Sequence, residues 1–196
     1  MAGLYIHIPF CRHKCNYCNF YSLASMRNMD QVSQAIISEM QQRNNYLASQ
    51  NVETIYFGGG TPSLLEISEI ENILEAVYQN FSVEKDVEIT LEANPDDLTS
   101  EKLIALKKAG VNRLSIGIQS FRQEDLDFLS RTHTSFQVTQ CITDAQQAGF
   151  QNLSIDLIYG IPTLSDEGWE QNLMKAFSLG IPHISAYSLT VEAKTP

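Results

Sequence analysis

The sequence predicts an α/β fold, a partial (β/α)6 barrel, from three observations. Short β-rich runs alternate with helical patterns along the whole chain. A helix–glycine–loop–strand unit recurs at Ala109-Gly110 to Leu114, Ala148-Gly149 to Leu153 and Leu179-Gly180 to Ile184. The strands have one apolar face and one polar or small face. The recurring unit implies parallel strands joined by right-handed crossovers. The uneven faces argue against a doubly wound sheet, whose strands are apolar on both sides. They also differ from an ordinary closed barrel, whose inside is packed with branched side chains. A polar inner face leaves room for a bound polar molecule.

The strands are read at residues 4–8, 54–57, 87–92, 113–118, 153–158 and 184–189. Their outward faces carry Leu4, Ile6 and Ile8, then Val87, Ile89 and Leu91, Leu114, Ile116 and Ile118, and Leu153, Ile155 and Leu157. The inward faces carry Tyr5, His7, Glu88, Thr90, Glu92, Ser115, Gly117, Gln119, Ser154, Asp156, Ser185 and Tyr187. Between strands, Ile67, Ile70, Ile73, Leu74, Val77, Tyr78 and Phe81 make one amphipathic stripe. Thr99-Ser100-Glu101 opens the next helix and Gly110 closes it. Gly110, Gly149 and Gly180 suit the left-handed conformation at helix ends. Val138, Cys141, Ile142 and Ala145 share a helical face, so Cys141 reads as a small core residue. In such barrels the chemistry sits at the C-terminal strand ends, where Glu92, Gln119 and the loop after the first strand lie.

With 196 residues and no low-complexity linker, residues 1–196 read as one domain. The chain ends at Thr195-Pro196, just after the sixth strand, and an uncovered parallel edge is a liability. It therefore reads as the front part of a longer protein. No run approaches the roughly 20 apolar residues that span a bilayer. The N-terminus has no signal-peptide pattern, so cytoplasm is the expected compartment. A net charge of −10 argues against a broad nucleic-acid surface.

Three of the four cysteines form Cys11-x3-Cys15-x2-Cys18. Clustered cysteines in a cytosolic chain point to metal rather than disulfides. A [4Fe–4S] cluster is normally held by four thiolates. Three leave one iron open, which S-adenosylmethionine can chelate through its amino and carboxylate groups. One electron then breaks its carbon–sulfur bond. Zinc is the competing reading, with His7 or His13 as a fourth ligand, but zinc sites usually pair two knuckles and only one is present. His7 reads as a hydrogen-bonding side chain inside the barrel. His13 and Lys14 read as cations that offset thiolate charge.

Gly58-Gly59-Gly60-Thr61-Pro62 follows the second strand. Successive glycines let a ligand approach the backbone, and the lysine and spacing of a P-loop are missing. Glu92 ends the third strand, where a carboxylate can accept from an ammonium or a ribose. Gln119 ends the fourth strand and reaches the lumen. Asp156 interrupts an apolar run, and a buried acid needs partners. Arg131 follows a helical stretch and can pair with a carboxylate.

Together these residues resemble the coproporphyrinogen oxidase-like radical-SAM group, and within it the HemW-type heme chaperones. The resemblance rests on Tyr5-Ile-His-Ile-Pro-Phe-Cys11, the cysteine spacing, Phe57-Gly-Gly-Gly-Thr-Pro, Leu91-Glu-Ala-Asn-Pro, Ser115-Ile-Gly-Ile-Gln119-Ser-Phe and Asp156-Leu-Ile-Tyr-Gly-Ile-Pro. It implies the TIM-like barrel of the radical-SAM type. It also implies S-adenosylmethionine contacts from Tyr5, Tyr17, Gly59, Gly60, Thr61, Glu92, Gln119, Arg131 and Asp156, which in the related oxidase serve two such molecules. The oxidase has a further cysteine two residues after the third, where this chain reads Cys18-Asn19-Phe20. That departure favours heme binding and transfer to an acceptor protein. The alternative is oxidative decarboxylation of coproporphyrinogen III. Heme or a porphyrin, and an electron donor such as flavodoxin or ferredoxin, are the expected partners. The family's C-terminal domain, which would carry much of the heme-contacting surface, has no counterpart in this sequence.

Overall fold

A computed structural model of the protein describes residues 2–48 and 50–190. The Thr195-Pro196 end lies outside the described residues. One parallel sheet holds six strands in chain order: β1 (Ala2–Ile8), β2 (Val52–Gly59), β3 (Val83–Ala93), β4 (Arg113–Gln119), β5 (Asn152–Tyr159) and β6 (His183–Ser188). The partial barrel predicted from the sequence is therefore present. Most strands run a few residues past their predicted ends, and the sixth shifts by one.

The connections follow local sequence rules. Helix α1 (Met29–Gln42) precedes β2, and α2 (Ile67–Asn80) follows it. Helix α2 buries Ile70, Ile73, Leu74 and Val77 and opens where the Glu69 carboxylate accepts the Glu66 N–H at 3.0 Å. Tyr78, placed on the stripe by sequence, is instead exposed, because it lies 100° around the helix from Val77. Thr99 caps α3 (Ser100–Lys108) by accepting from the Lys102 N–H. The helical stretch read before Arg131 is the short helix α4 (Gln123–Phe128), which follows β4. Thr134 caps α5 (Ser135–Gln147), whose buried face is Val138, Cys141, Ile142 and Ala145, as predicted. Helix α6 (Asp166–Ser178) leads to β6. The three predicted glycine caps all have positive φ: 105° at Gly110, 89° at Gly149 and 68° at Gly180.

The outward strand faces and these helices make one core. Phe57, Leu91, Leu114, Ile116 and Ile155 are wholly buried in it. Each such side chain contributes about 1.5–3 kcal/mol of burial free energy. Because every strand pair is parallel, the C-terminal ends of β1 to β5 meet at one end of the sheet. Among the described residues no helix is long and apolar enough to cross a membrane.

Candidate functional site

The cysteine loop leaves β1 at that end. Its base is pinned by backbone bonds: the Leu23 N–H donates to Pro9 O at 2.6 Å and the Cys11 N–H to Leu23 O at 3.1 Å. Phe10, fully buried, anchors it to the core. The Cys18 N–H donates to Cys15 O at 3.2 Å, making a tight turn that carries both thiols. Cys11, Cys15 and Cys18 are free and partly accessible. Burial pushes the Cys18 thiol up from its ordinary value.

The glycine run also serves the fold. The Gly60 N–H donates to Ile8 O and the Thr61 N–H to Phe10 O, at 2.8 and 2.7 Å. A Cβ on Gly60 would lie 2.5 Å from Phe10 O, and one on Gly59 2.5 Å from the His7 ring. The glycines thus let β2 close against the start of the cysteine loop. Thr61 Oγ1 lies 3.4 Å from Cys11 Sγ and also accepts from Asn94 Nδ2.

Glu92 lies on the inner face one residue before the end of β3. Its carboxylate accepts from the Tyr56 hydroxyl at 2.8 Å and the Gly59 N–H at 3.0 Å. Tyr5 stacks on Tyr56, and its hydroxyl lies 3.3 Å from His7 Nδ1. Burial, and then the charge of Glu92, raise the Tyr56 hydroxyl, so it stays a donor. Across the lumen Asp156 bonds Ser185. Burial, and secondly Glu92, push its carboxyl up to about 6. The inner face therefore sets Asp156, an easily protonated acid, within electrostatic reach of Glu92.

Gln119 ends β4 in the left-handed region, with φ 68°. A non-glycine residue there stores strain that its surroundings must hold. Here the Ile118 carbonyl accepts from the Ser120 N–H and bonds His133 Nε2. Ser120 is locked to Asp125 and Asn172. The Gln119 side chain lies over Gly117, beside Asn94. Burial, and secondly Arg131, lower buried His133 to about 4, so it is neutral.

Among the described residues Arg131 forms no ion pair with a carboxylate, unlike the expectation from sequence. Nη1 donates to Cys15 Sγ at 3.3 Å and to the Tyr17 hydroxyl at 3.4 Å. Nη2 donates to Asn94 Oδ1 at 2.6 Å and to Gly117 O at 2.9 Å. Its Nε is buried and has no hydrogen-bond partner among the described residues. Sequence reasoning missed Asn94, His133 and Tyr56 as members of this network. Asn94 follows Glu92 within Leu91-Glu-Ala-Asn-Pro, which was its one available signal.

The sequence profile of the radical SAM superfamily matches residues 5–176. The chain belongs to the radical SAM superfamily. It is 39% identical to the heme chaperone HemW of Bacillus subtilis over 198 residues, which covers all of this chain and 52% of that protein. It is 38% identical to the Escherichia coli heme chaperone HemW, over 98% of this chain and 52% of that protein. Among solved structures it is similar to coproporphyrinogen III oxidase (HemN) from Escherichia coli, a radical SAM enzyme. There the TM-score is 0.87 and the identity 29%, over 96% of this chain and 44% of the other. This radical SAM chain thus spans about half the length of the curated relatives it matches.

Membership of the radical SAM superfamily implies a [4Fe–4S] cluster and S-adenosylmethionine. The residues present fit both. Three thiols lie on one loop, and among the described residues no three His, Cys, Asp or Glu side chains form a site for a single metal ion. A cubane takes each thiolate on a separate iron. The buried, unpartnered Arg131 Nε is a donor suited to a carboxylate. Glu92 and Asp156 are acceptors suited to an ammonium or hydroxyls. When bound, the cluster supplies one electron and S-adenosylmethionine the bond that this electron cleaves.

Proposed function

We propose that this protein is a heme-handling radical SAM protein of the HemW type, which binds heme and passes it to an acceptor protein. The observation that carries the reading is the 38–39% identity to heme chaperones along essentially the whole chain. Phe20 supports it. In the resemblance drawn from sequence, the oxidase carries a cysteine there. Phe20 is 74% exposed and serves no packing need. The 0.87 TM-score to the oxidase supports the alternative, oxidative decarboxylation of coproporphyrinogen III.

In this reading Cys11, Cys15 and Cys18 hold the cluster. Tyr5, Tyr17, Gly59, Gly60, Thr61, Glu92, Gln119, Arg131 and Asp156 hold and orient S-adenosylmethionine. Residues 1–196 form the core domain, and the protein works in the cytoplasm with a flavodoxin- or ferredoxin-like electron donor. The bonds that Glu92 and Arg131 make to the glycine run and the cysteine loop support these roles.

The test is anaerobic reconstitution of the full-length protein, followed by hemin titration and by incubation with coproporphyrinogen III, S-adenosylmethionine and a reductant. Saturable heme binding without decarboxylation is expected. Stoichiometric decarboxylation would install the alternative, and absence of both would overturn the heme reading.

A further inference from the structure

Arg131 lies against one of the three clustered thiols, Cys15, at 3.3 Å. Its two Nη atoms make four bonds, to Cys15 Sγ, the Tyr17 hydroxyl, Asn94 Oδ1 and Gly117 O. None of these acceptors is a carboxylate, so the Cys15 sulfur is the one among them that can carry a charge opposite to the guanidinium. The other cations of the cysteine loop differ. Arg12 reaches Asp97 at 3.2 Å, and His13 and Lys14 are exposed to screening water. Asp96 opposes Arg131 electrostatically, but it is exposed and accepts from the Thr132 hydroxyl at 2.8 Å. Of these cations, Arg131 therefore bears on the thiolates through the least water.

We propose that Arg131, through its N–H···S bond to Cys15, raises the reduction potential of the cluster and ties the cysteine loop to the ends of β3 and β4. Reduction adds one electron from an external one-electron donor and makes the thiolate-bound cluster one unit more negative. A fixed positive charge and a hydrogen bond to a ligating sulfur both stabilise that reduced form. Asn94 and Gly117 fix the guanidinium from the strand side, so the bond to sulfur is preorganised by β3 and β4. The inference rests on the cluster that the superfamily implies and is independent of heme.

The test is an EPR-monitored dithionite titration of the anaerobically reconstituted chain, without S-adenosylmethionine. Wild type, Arg131→Gln and Arg131→Lys are compared at matched iron and sulfide content. At the wild-type midpoint, Arg131→Gln is expected to lower the reduced-to-oxidised ratio about tenfold, equivalent to about 59 mV for one electron. Arg131→Lys, which keeps the charge, is expected to fall between. An unchanged midpoint in a fully loaded Arg131→Gln protein overturns the proposal. If that variant loads no iron, the wild-type cluster decides. Arginine labelled with 15N in the guanidinium, in an Arg12→Lys background, is expected to give a hyperfine coupling in pulsed EPR of the reduced cluster. Its absence overturns the proposal as well. Iron and sulfide assays on wild type report separately whether the cluster forms at all.

Discussion

The cysteine loop and the strand ends beneath it are built in opposite ways. The strand ends are a buried polar lattice: Thr61, Ser63, Asp97, Gln119, Ser120, Asp125 and His133 are all inaccessible. Each of the hydroxyl and carboxylate groups among them has a partner, as in Ser63 to Asp97 at 2.9 Å and Ser120 to Asp125 at 2.7 Å. The loop exposes Phe20, Tyr21, Leu23 and Met26. Above its base it is tethered to the shelf by a few side-chain contacts, Cys11 to Thr61, Arg12 to Asp97, Cys15 to Arg131 and Asn16 to Ser130. The contrast teaches a division of labour. The strand-end shelf is held by hydrogen bonds among its own buried groups, whereas the three thiols of the loop lie in a largely exposed segment. Stability and chemistry should therefore separate under mutation.

The largest effect is expected at the loop. Cys15→Ser should abolish the cluster, read as loss of protein-bound iron and of the EPR signal after anaerobic reconstitution, while the thermal midpoint of the iron-free protein stays that of wild type. Full iron retention would mean that the cubane lies elsewhere. On the shelf the pattern should invert. Asn172 takes the Phe121 N–H at 2.9 Å and donates to Ser120 at 3.1 Å, fully buried beneath the strained end of β4. Asn172→Ala leaves the Phe121 N–H unsatisfied, removes one of the bonds that hold Ser120, and should cost about 2 kcal/mol, measured by urea unfolding. A neutral result would show that the strain at Gln119 needs no such support.

The lumen should show a smaller, pH-dependent term. Asp156 has a carboxyl raised to about 6 in the fold, above its ordinary 3.8. A raised pKa means that the folded state prefers the protonated form. Its contribution is thus fully present below about pH 4 and is lost as pH rises through 6. Between pH 7 and pH 5 the stability advantage of wild-type over Asp156→Asn protein should grow by about 1 kcal/mol, followed by urea unfolding of both. A difference that is flat in pH would place Asp156 in water rather than beside Glu92.

Much of the fold was legible because it rests on periodic signals. Gly110, Gly149 and Gly180 announce helix ends through one residue type, and the alternation along β3 to β5 separates core from lumen. Helix α4 was legible only as a helical stretch before Arg131, without bounds: six residues are too few for a stripe, and Leu126 is its one fully buried apolar side chain. At the site, cysteine spacing and strand-end position located Cys11, Glu92 and Gln119. The partners were hidden, since hydrogen bonds between residues far apart in sequence leave no periodic trace. Arg131 reaches Cys15 across 116 positions. The left-handed backbone of Gln119 was invisible for another reason, because nothing in a glutamine asks for positive φ and the surrounding lattice imposes it.

The smallest effect should come from the most conspicuous loop residue. Phe20 is a large apolar side chain at 74% exposure, so removing its ring deletes little buried area. Phe20→Ser should change unfolding free energy by no more than about 0.5 kcal/mol, a shift of about 1–2 °C in thermal midpoint for a chain of this size. In the heme reading the same change should weaken hemin binding, because an aromatic face beside the cysteine loop is lost. Stability unchanged with weakened hemin binding would place Phe20 on the ligand side of the division. A midpoint that falls as far as that of Asn172→Ala would mean that the loop packs as part of the folded core, and the contrast between loop and shelf would not hold.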